Sequence, residues 1–475
     1  MGNMKCIRRR SKTIILVPYP AQGHVTPMLK LASAFLSHGF DPVLVIPDYI
    51  HRQIVPKIES TDKIQCMPIP DGLDKDAPRD FFTIEKAMEN NMPVHLEKLV
   101  HQLDEDGGVV CIVIDLLASW AIEVANRCGV PAAGFWPAML ATYRLIGAIP
   151  EMIRTGLISD AGFPRQLGGT CFLPNQPMLS SEELPWLIGT PAARKARFKF
   201  WTRTLDRSRS LQWLLVNSFP NECCLDDKQS QHQQLDLHQL VQTTTQIQQQ
   251  VYPIGPLSKL TTTKNPSFWE EDTNCLSWLD KQKPNTVIYI SFGSWVSPIG
   301  EAKVKGLALA LEALGKPFIW VLGSSWREGL PIGYLEKVSK IGKVVSWAPQ
   351  MEILKHKAIG CYLTHCGWNS TMEAIQCQKR LLCYPVAGDQ FVNCGYVVNL
   401  WRIGVRLGGF GEKDVEEGLK RVMEEDEMGN RLRKLYERTM GDEANSRAGS
   451  KLTDFIDQLK MLTLGSSNGV YDYDL

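Results

Sequence analysis

The sequence predicts an α/β protein made of two doubly wound, Rossmann-like domains that face each other across a cleft. Three observations predict it. In the first half, short continuous apolar runs alternate with segments of helical period, the pattern of parallel strands covered on both faces. The second half repeats that style. Between the halves the composition changes. Gln229 to Gln250 is glutamine-rich and poor in apolar residues, which reads as a surface loop, and Tyr252-Pro-Ile-Gly-Pro-Leu257 then stiffens the connection with two prolines. A chain of 475 residues is long enough for two sizeable cores.

The elements follow in order. Thr13–Val17 is an apolar strand cut off by Pro18 and Pro20, too short for a signal-peptide core despite the basic run before it. A helical pattern runs from Thr26 to His38 and stops at Gly39. Strands are predicted at Pro42–Ile46, Val109–Ile114 and Ala132–Phe135, with a helix at Ala118–Arg127. In the second half, strands are predicted at Val287–Phe292, Phe318–Leu322, Val344–Ser346, Cys361–Thr364 and Arg380–Tyr384. A helix at Glu301–Leu314 ends at Gly315.

Composition narrows the function. Lys plus Arg is 52 against 51 for Asp plus Glu, so the chain lacks the excess positive charge of a nucleic-acid binder. Hydrophobic residues are 44% and charged residues 22%, the balance of a globular protein. The 13 cysteines are scattered, with no C-x-x-C and no zinc-finger spacing, so no metal is expected and free thiols in a reducing cytoplasm are. The longest apolar region, Val109 to Ala125, contains Asp115 and Glu123, so no transmembrane span is expected.

In a doubly wound sheet the ligand sits beyond the carboxyl ends of the strands. The loop after the first strand, Pro18-Tyr-Pro-Ala-Gln-Gly-His24, brings His24 to the start of a helix. That position favours a neutral imidazole able to accept a proton; the alternative is a polar residue with no role. Asp115 ends the strand Val109–Ile114, where it can either hold a histidine in one tautomer or cap the next helix. In the second half Gly293 and Ser294 follow a strand, a weak sign of phosphate contact. Thr364-His-Cys-Gly-Trp-Asn-Ser-Thr-Met-Glu373 follows another strand and opens a helix. Free N–H groups there bind anions, Gly367 admits close approach, and His365, Asn369 and Ser370 add donors. Glu373 stands one turn on, placed to accept ribose hydroxyls, although Ser370 and Glu373 also fit a capping box. The glycine fingerprints of dinucleotide and P-loop sites are absent.

Trp347-Ala-Pro-Gln350 through Asp389-Gln390 resembles the C-terminal signature box of plant UDP-dependent glycosyltransferases of small molecules, the inverting family 1 with a GT-B fold. Pro20-Ala-Gln-Gly-His24, Asp115, Trp278-Leu-Asp280 and Ser291–Ser294 extend the resemblance over essentially the whole chain. It implies an N-terminal acceptor domain at 1–250, a linker at 251–262 and a UDP-sugar domain at 263–445. A helix at about 446–462 would return to the first domain, and 463–475 would be a flexible tail. It implies that Trp347 stacks on uracil, with Ala348 and Gln350 also on the nucleoside, and that Glu373 holds the ribose. Ser294, His365, Trp368, Asn369 and Ser370 would meet the diphosphate, and Asp389 and Gln390 the sugar. His24 would be the general base and Asp115 its partner. Gln378-Lys379-Arg380 departs from the family's usual Gly-x-Pro, and Ala387 stands where Trp is common.

The expected function is therefore transfer of a hexose, glucose from UDP-glucose, to a small lipophilic acceptor by a monomer that uses neither cofactor nor metal. The rival readings are a non-catalytic UDP-sugar-binding protein and a nicotinamide-dependent oxidoreductase. Phe81, Phe82, Trp136, Met139 and Trp186 are candidates for the acceptor pocket, or else ordinary core.

Overall fold

The computed structural model describes residues 12–465 apart from 59–63, 75, 106–107, 167, 175, 221, 223–248, 258–266 and 295–298. The basic N-terminal run, most of the glutamine-rich stretch, the later part of the predicted linker and the tail beyond 465 lie outside the described residues.

The first sheet contains β1 (Thr13–Val17), β2 (Asp41–Pro47), β3 (Gln65–Ile69), β4 (Val109–Asp115) and β5 (Ala132–Trp136). A two-stranded hairpin, β6 (Gly169–Thr170) and β7 (Leu179–Ser180), stands apart, and β8 (Trp213–Val216) and β9 (Gln250–Pro253) complete the sheet. Its order is β3-β2-β1-β4-β5-β8-β9, and every pairing is parallel. Alternation along β1 explains why it reads as one apolar run. Ile15 and Val17 enter one core and Ile14 and Leu16 another, so both faces are covered.

The second sheet is β10 (Val287–Ser291), β11 (Phe318–Val321), β12 (Gly342–Val345), β13 (Ile359–Thr364), β14 (Arg380–Cys383) and β15 (Gly404–Arg406). Its order, β12-β11-β10-β13-β14-β15, is again all parallel. In both sheets the strand order reverses beside the first strand, at β1/β4 and at β10/β13. That switch point opens a crevice at the strands' carboxyl ends, where ligands of such sheets bind.

One boundary moves. Gln250–Pro253 pairs in register with Trp213–Val216, so residues 251–253 of the predicted linker are the edge strand of the first sheet. The helix Asp442–Gly465 returns to that sheet. Its Phe455 is fully buried and meets the rings of Phe35, Trp213 and Tyr252, and the Trp213 indole N–H donates to Gln458 Oε1 at 2.7 Å.

Candidate active site

The turn after β1 leads into the helix Gln22–Ser37, and His24 sits in its first turn. Across the switch point, Asp115 is the last residue of β4 and is fully buried. Its two oxygens are divided. Oδ1 accepts the N–H of Leu117 at 2.9 Å, and Oδ2 meets His24 Nδ1 at 2.7 Å. Asp115 is thus the histidine partner, and the cap it makes is on the single 3-10 turn Leu116–Ala118, while the helix Trp120–Arg127 follows Ser119 without a side-chain cap. With Nδ1 held as the donor, Nε2 is the ring nitrogen left to accept a proton, and the His24 side chain retains 21% exposure.

The second domain supplies a helix start at the matching point. β13 ends at Thr364, and the helix Trp368–Gln376 begins with Gly367 as its N-cap and no side-chain cap. The capping box that Ser370 and Glu373 would make is therefore not formed, and the first N–H groups keep their capacity for an anion. His365 lies between two glycines. A Cβ on Gly293 or on Gly367 would stand 2.5 Å from His365 Nε2, so neither position tolerates a side chain without displacing the ring. Burial pulls the imidazole down to about 4. His365 therefore offers a hydrogen bond at neutral pH and no charge, which narrows the role the sequence allowed it. Ser294 follows Gly293 at the end of the β10 loop.

Several predicted ligands have other partners. Gln350 is committed inside the domain. Its Nε2 donates to Glu373 Oε2 at 2.7 Å and to Ser370 Oγ at 3.1 Å, and its Oε1 accepts the hydroxyls of Tyr289 and Tyr362. Its side chain orients Glu373. Trp368 is engaged as well. Its indole N–H donates to the backbone oxygen of Asn217 in the first domain at 2.7 Å, and its ring stacks at 19° on Phe219, so the side chain pins the domains together. Gln390 folds back, its Oε1 accepting the N–H groups of Val386 and Ala387, which leaves only its NH2 for a sugar. Asn369 Nδ2 donates to Gly23 O at 2.8 Å. That carbonyl is free for it because Pro27, four residues on in the same helix, has no N–H to give.

Trp347 and Ala348 follow β12, Trp347 half-buried and Ala348 buried. The Trp347 ring lies 4.5 Å from that of Trp269, an aromatic neighbour that nothing in the predicted box announced. Burial raises the Glu373 carboxyl and Lys30 of the facing helix opposes the rise. Asp389, half-buried, is raised by burial, held by Asn393, and feels His24 from across the cleft. His24, Asp389 and the start of the helix Trp368–Gln376 thus converge between the two sheets.

The family model described as UDP-glucoronosyl and UDP-glucosyl transferase matches residues 270–437. UDP-glycosyltransferase 82A1 of Arabidopsis thaliana is 56% identical to this chain, over 94% of this chain and 98% of the relative. The chain belongs to the plant family 1 UDP-glycosyltransferases. A second relative, UDP-glycosyltransferase 83A1 of the same plant, is 31% identical over 86% of each chain. Os79 from O. sativa, solved in complex with UDP, superposes with a TM-score of 0.76 at 26% identity, over 94% of this chain and 100% of that one. An anthocyanidin 3-O-glucosyltransferase solved with UDP shares the fold at 22% identity and a TM-score of 0.76. The two facing sheets are therefore a GT-B fold, and the protein is a UDP-dependent glycosyltransferase.

Within this glycosyltransferase, the departure at Gln378 has a visible consequence. Gln378 has φ +50, the left-handed conformation for which glycine is the usual residue. Sequence reasoning missed Lys30 and Trp269, because neither lies in a motif. It also treated the cysteines as scattered, whereas Cys366, Cys383 and Cys394 are buried together with their sulfurs within 4.8 Å of one another. Of the acceptor candidates, Trp136, Met139 and Trp186 are core, and Phe81 and Phe82 are partly exposed. Among the described residues no helix is long and apolar enough to cross a membrane.

Proposed function

We propose that this glycosyltransferase moves glucose from UDP-glucose, with inversion, onto a hydroxyl or carboxyl group of a small lipophilic acceptor. The observation that carries the reading is the 2.7 Å contact between His24 Nδ1 and buried Asp115, which leaves Nε2 at the cleft beside the second domain's helix start. His24 takes the acceptor proton as the oxygen attacks the anomeric carbon, and Asp115 stabilises the imidazolium that forms. The bond from that carbon to the diphosphate oxygen breaks, and UDP leaves with its new charge against the N–H groups that open Trp368–Gln376, aided by Ser370, Ser294 and a neutral His365. Trp347, with Ala348 beside it, receives the uracil, and Glu373, oriented by Gln350, receives the ribose. Asp389 and the Gln390 NH2 receive the sugar. Neither a metal nor a cofactor enters this scheme, and the enzyme acts as a cytoplasmic monomer.

Os79 has been solved in complex with UDP, and in complex with U2F and trichothecene, which supports a uridine nucleotide and a small acceptor as the ligand pair. The test is turnover with UDP-glucose, UDP-galactose and UDP-glucuronate in parallel against phenols, terpenoid alcohols and carboxylic acids. Product mass and anomeric configuration are recorded. A hexose mass shift with UDP-glucose and a β-linked product are expected. An α-linked product, or preference for another donor, overturns the corresponding part.

A further inference from the structure

Arg197 lies on the helix Pro191–Ser208, with its guanidinium carbon 4.5 Å from the ring centroid of Phe81 and 4.7 Å from that of Phe82. Such contacts use the π faces of the rings. They do nothing for the N–H bonds, which need acceptors. Nε and Nη1 of Arg197 are buried and have no hydrogen-bond partner among the described residues. Arg197 as a whole is half-buried, but two buried N–H groups without an acceptor are costly and call for an explanation.

The nearby carboxylates do not supply one. Asp80 and Glu85 both act on Arg197 through space. Asp80 Oδ1, however, caps the helix Phe81–Asn90 by accepting the N–H groups of Phe82 and Thr83 at 2.9 Å each. Glu85 pairs with Arg203 at 2.5 Å. Tyr19 also neighbours Arg197, and its ring centroid is 5.2 Å from that of His24. The two unpaired N–H groups therefore stand one aromatic residue away from His24, beside two partly exposed phenylalanines.

We propose that Arg197 is an acceptor-specificity residue, binding a carboxylate carried by the acceptor while the acceptor's hydroxyl is presented to His24. Phe81 and Phe82 give the same site apolar walls, so the acceptor class is a hydroxyaryl carboxylic acid. A neutral acceptor leaves Nε and Nη1 without a charged acceptor, whereas a carboxylate supplies charge-assisted bonds that match them. The presentation of the hydroxyl rests on the glycosyl-transfer reading above; the anion site rests on Arg197's own surroundings.

The experiment separates the two. Binding of 4-hydroxybenzoate, 4-hydroxycinnamate and 4-hydroxyphenylbutyrate, each against its methyl ester, is measured by calorimetry on the enzyme–UDP complex, and turnover with UDP-glucose is followed in parallel. At least one acid is expected to bind about 10- to 100-fold more tightly than its ester, the range of one charge-assisted contact. Arg197→Met should erase the difference by weakening the acid alone, and Arg197→Lys should retain part of it. The product should be a phenolic glucoside with a free carboxylate. The wild-type comparison needs no variant, so a folding defect in Arg197→Met does not remove the test. Preference in binding without turnover upholds the anion site and sinks the transfer reading. Equal affinity of every acid and its ester, a preference that survives Arg197→Met, or a glucose ester as product overturns the proposal.

Discussion

Asp115 serves two groups at once, and the residue scale shows what that costs to change. Asparagine at 115 can still accept the Leu117 N–H, but it no longer offers His24 Nδ1 a charged partner. Asp115→Asn is expected to lower kcat by about 10²- to 10⁴-fold while UDP affinity, measured by calorimetry, stays within about twofold. His365 makes a prediction about stability. Its imidazole is held down to about 4 in the folded protein, against an ordinary value of 6.5. Between those values the unfolded chain binds a proton that the folded one refuses. Stability is full above pH 6.5 and falls as pH drops toward 4, by up to about 3 kcal/mol from this group. Urea midpoints across that range should show the slope, and His365→Gln should flatten it. Residue type and motif position were legible in the sequence, which is why His24 and Asp115 meet as read. Side-chain direction was not. Trp368 and Gln350 turn toward neighbours contributed by distant segments, and no local pattern records those.

Elements were legible where hydrophobic period and a stop signal agreed. The helix Glu301–Leu314 matches residue for residue, because Gly315 closes it at φ +59. Of the strands in the two sheets, β3, β8, β9 and β15 are not predicted. β3 carries exposed Gln65 and Pro68, β9 falls in the predicted linker, β15 has three residues, and β8 is an apolar run of only four. The helix Gln22–Ser37 was started too late, since Pro27 reads as a first-turn proline while the helix begins five residues earlier. Gln378 marks where the helix Trp368–Gln376 turns toward β14. Glycine there removes the left-handed penalty on a side chain. Gln378→Gly should stabilise the protein by up to about 1 kcal/mol, seen as a higher urea midpoint with kcat unchanged.

At the scale of the whole molecule, the site exists only where two domains meet. Each gives strand ends, and the contacts that hold them together include Trp368 to Asn217, Asn369 to Gly23, and Trp401 to the backbone of Glu222. The two-domain plan was legible because each half repeats the strand–helix pattern. The registration of one half on the other was not, because it depends on backbone carbonyls, which carry no sequence identity. The return of Asp442–Gly465 onto the first sheet fastens the chain a second time. Phe455→Ala should cost about 3–5 kcal/mol, read from the urea midpoint, since the ring is fully buried against three aromatic neighbours. The central claim is that His24, held by Asp115, is the base for sugar transfer across this cleft. Its most direct test is single-turnover glucose transfer by His24→Ala, with UDP affinity measured on the same preparation. The account predicts transfer reduced by about 10²-fold or more with UDP bound as in the wild type. Near-normal transfer by His24→Ala would contradict it.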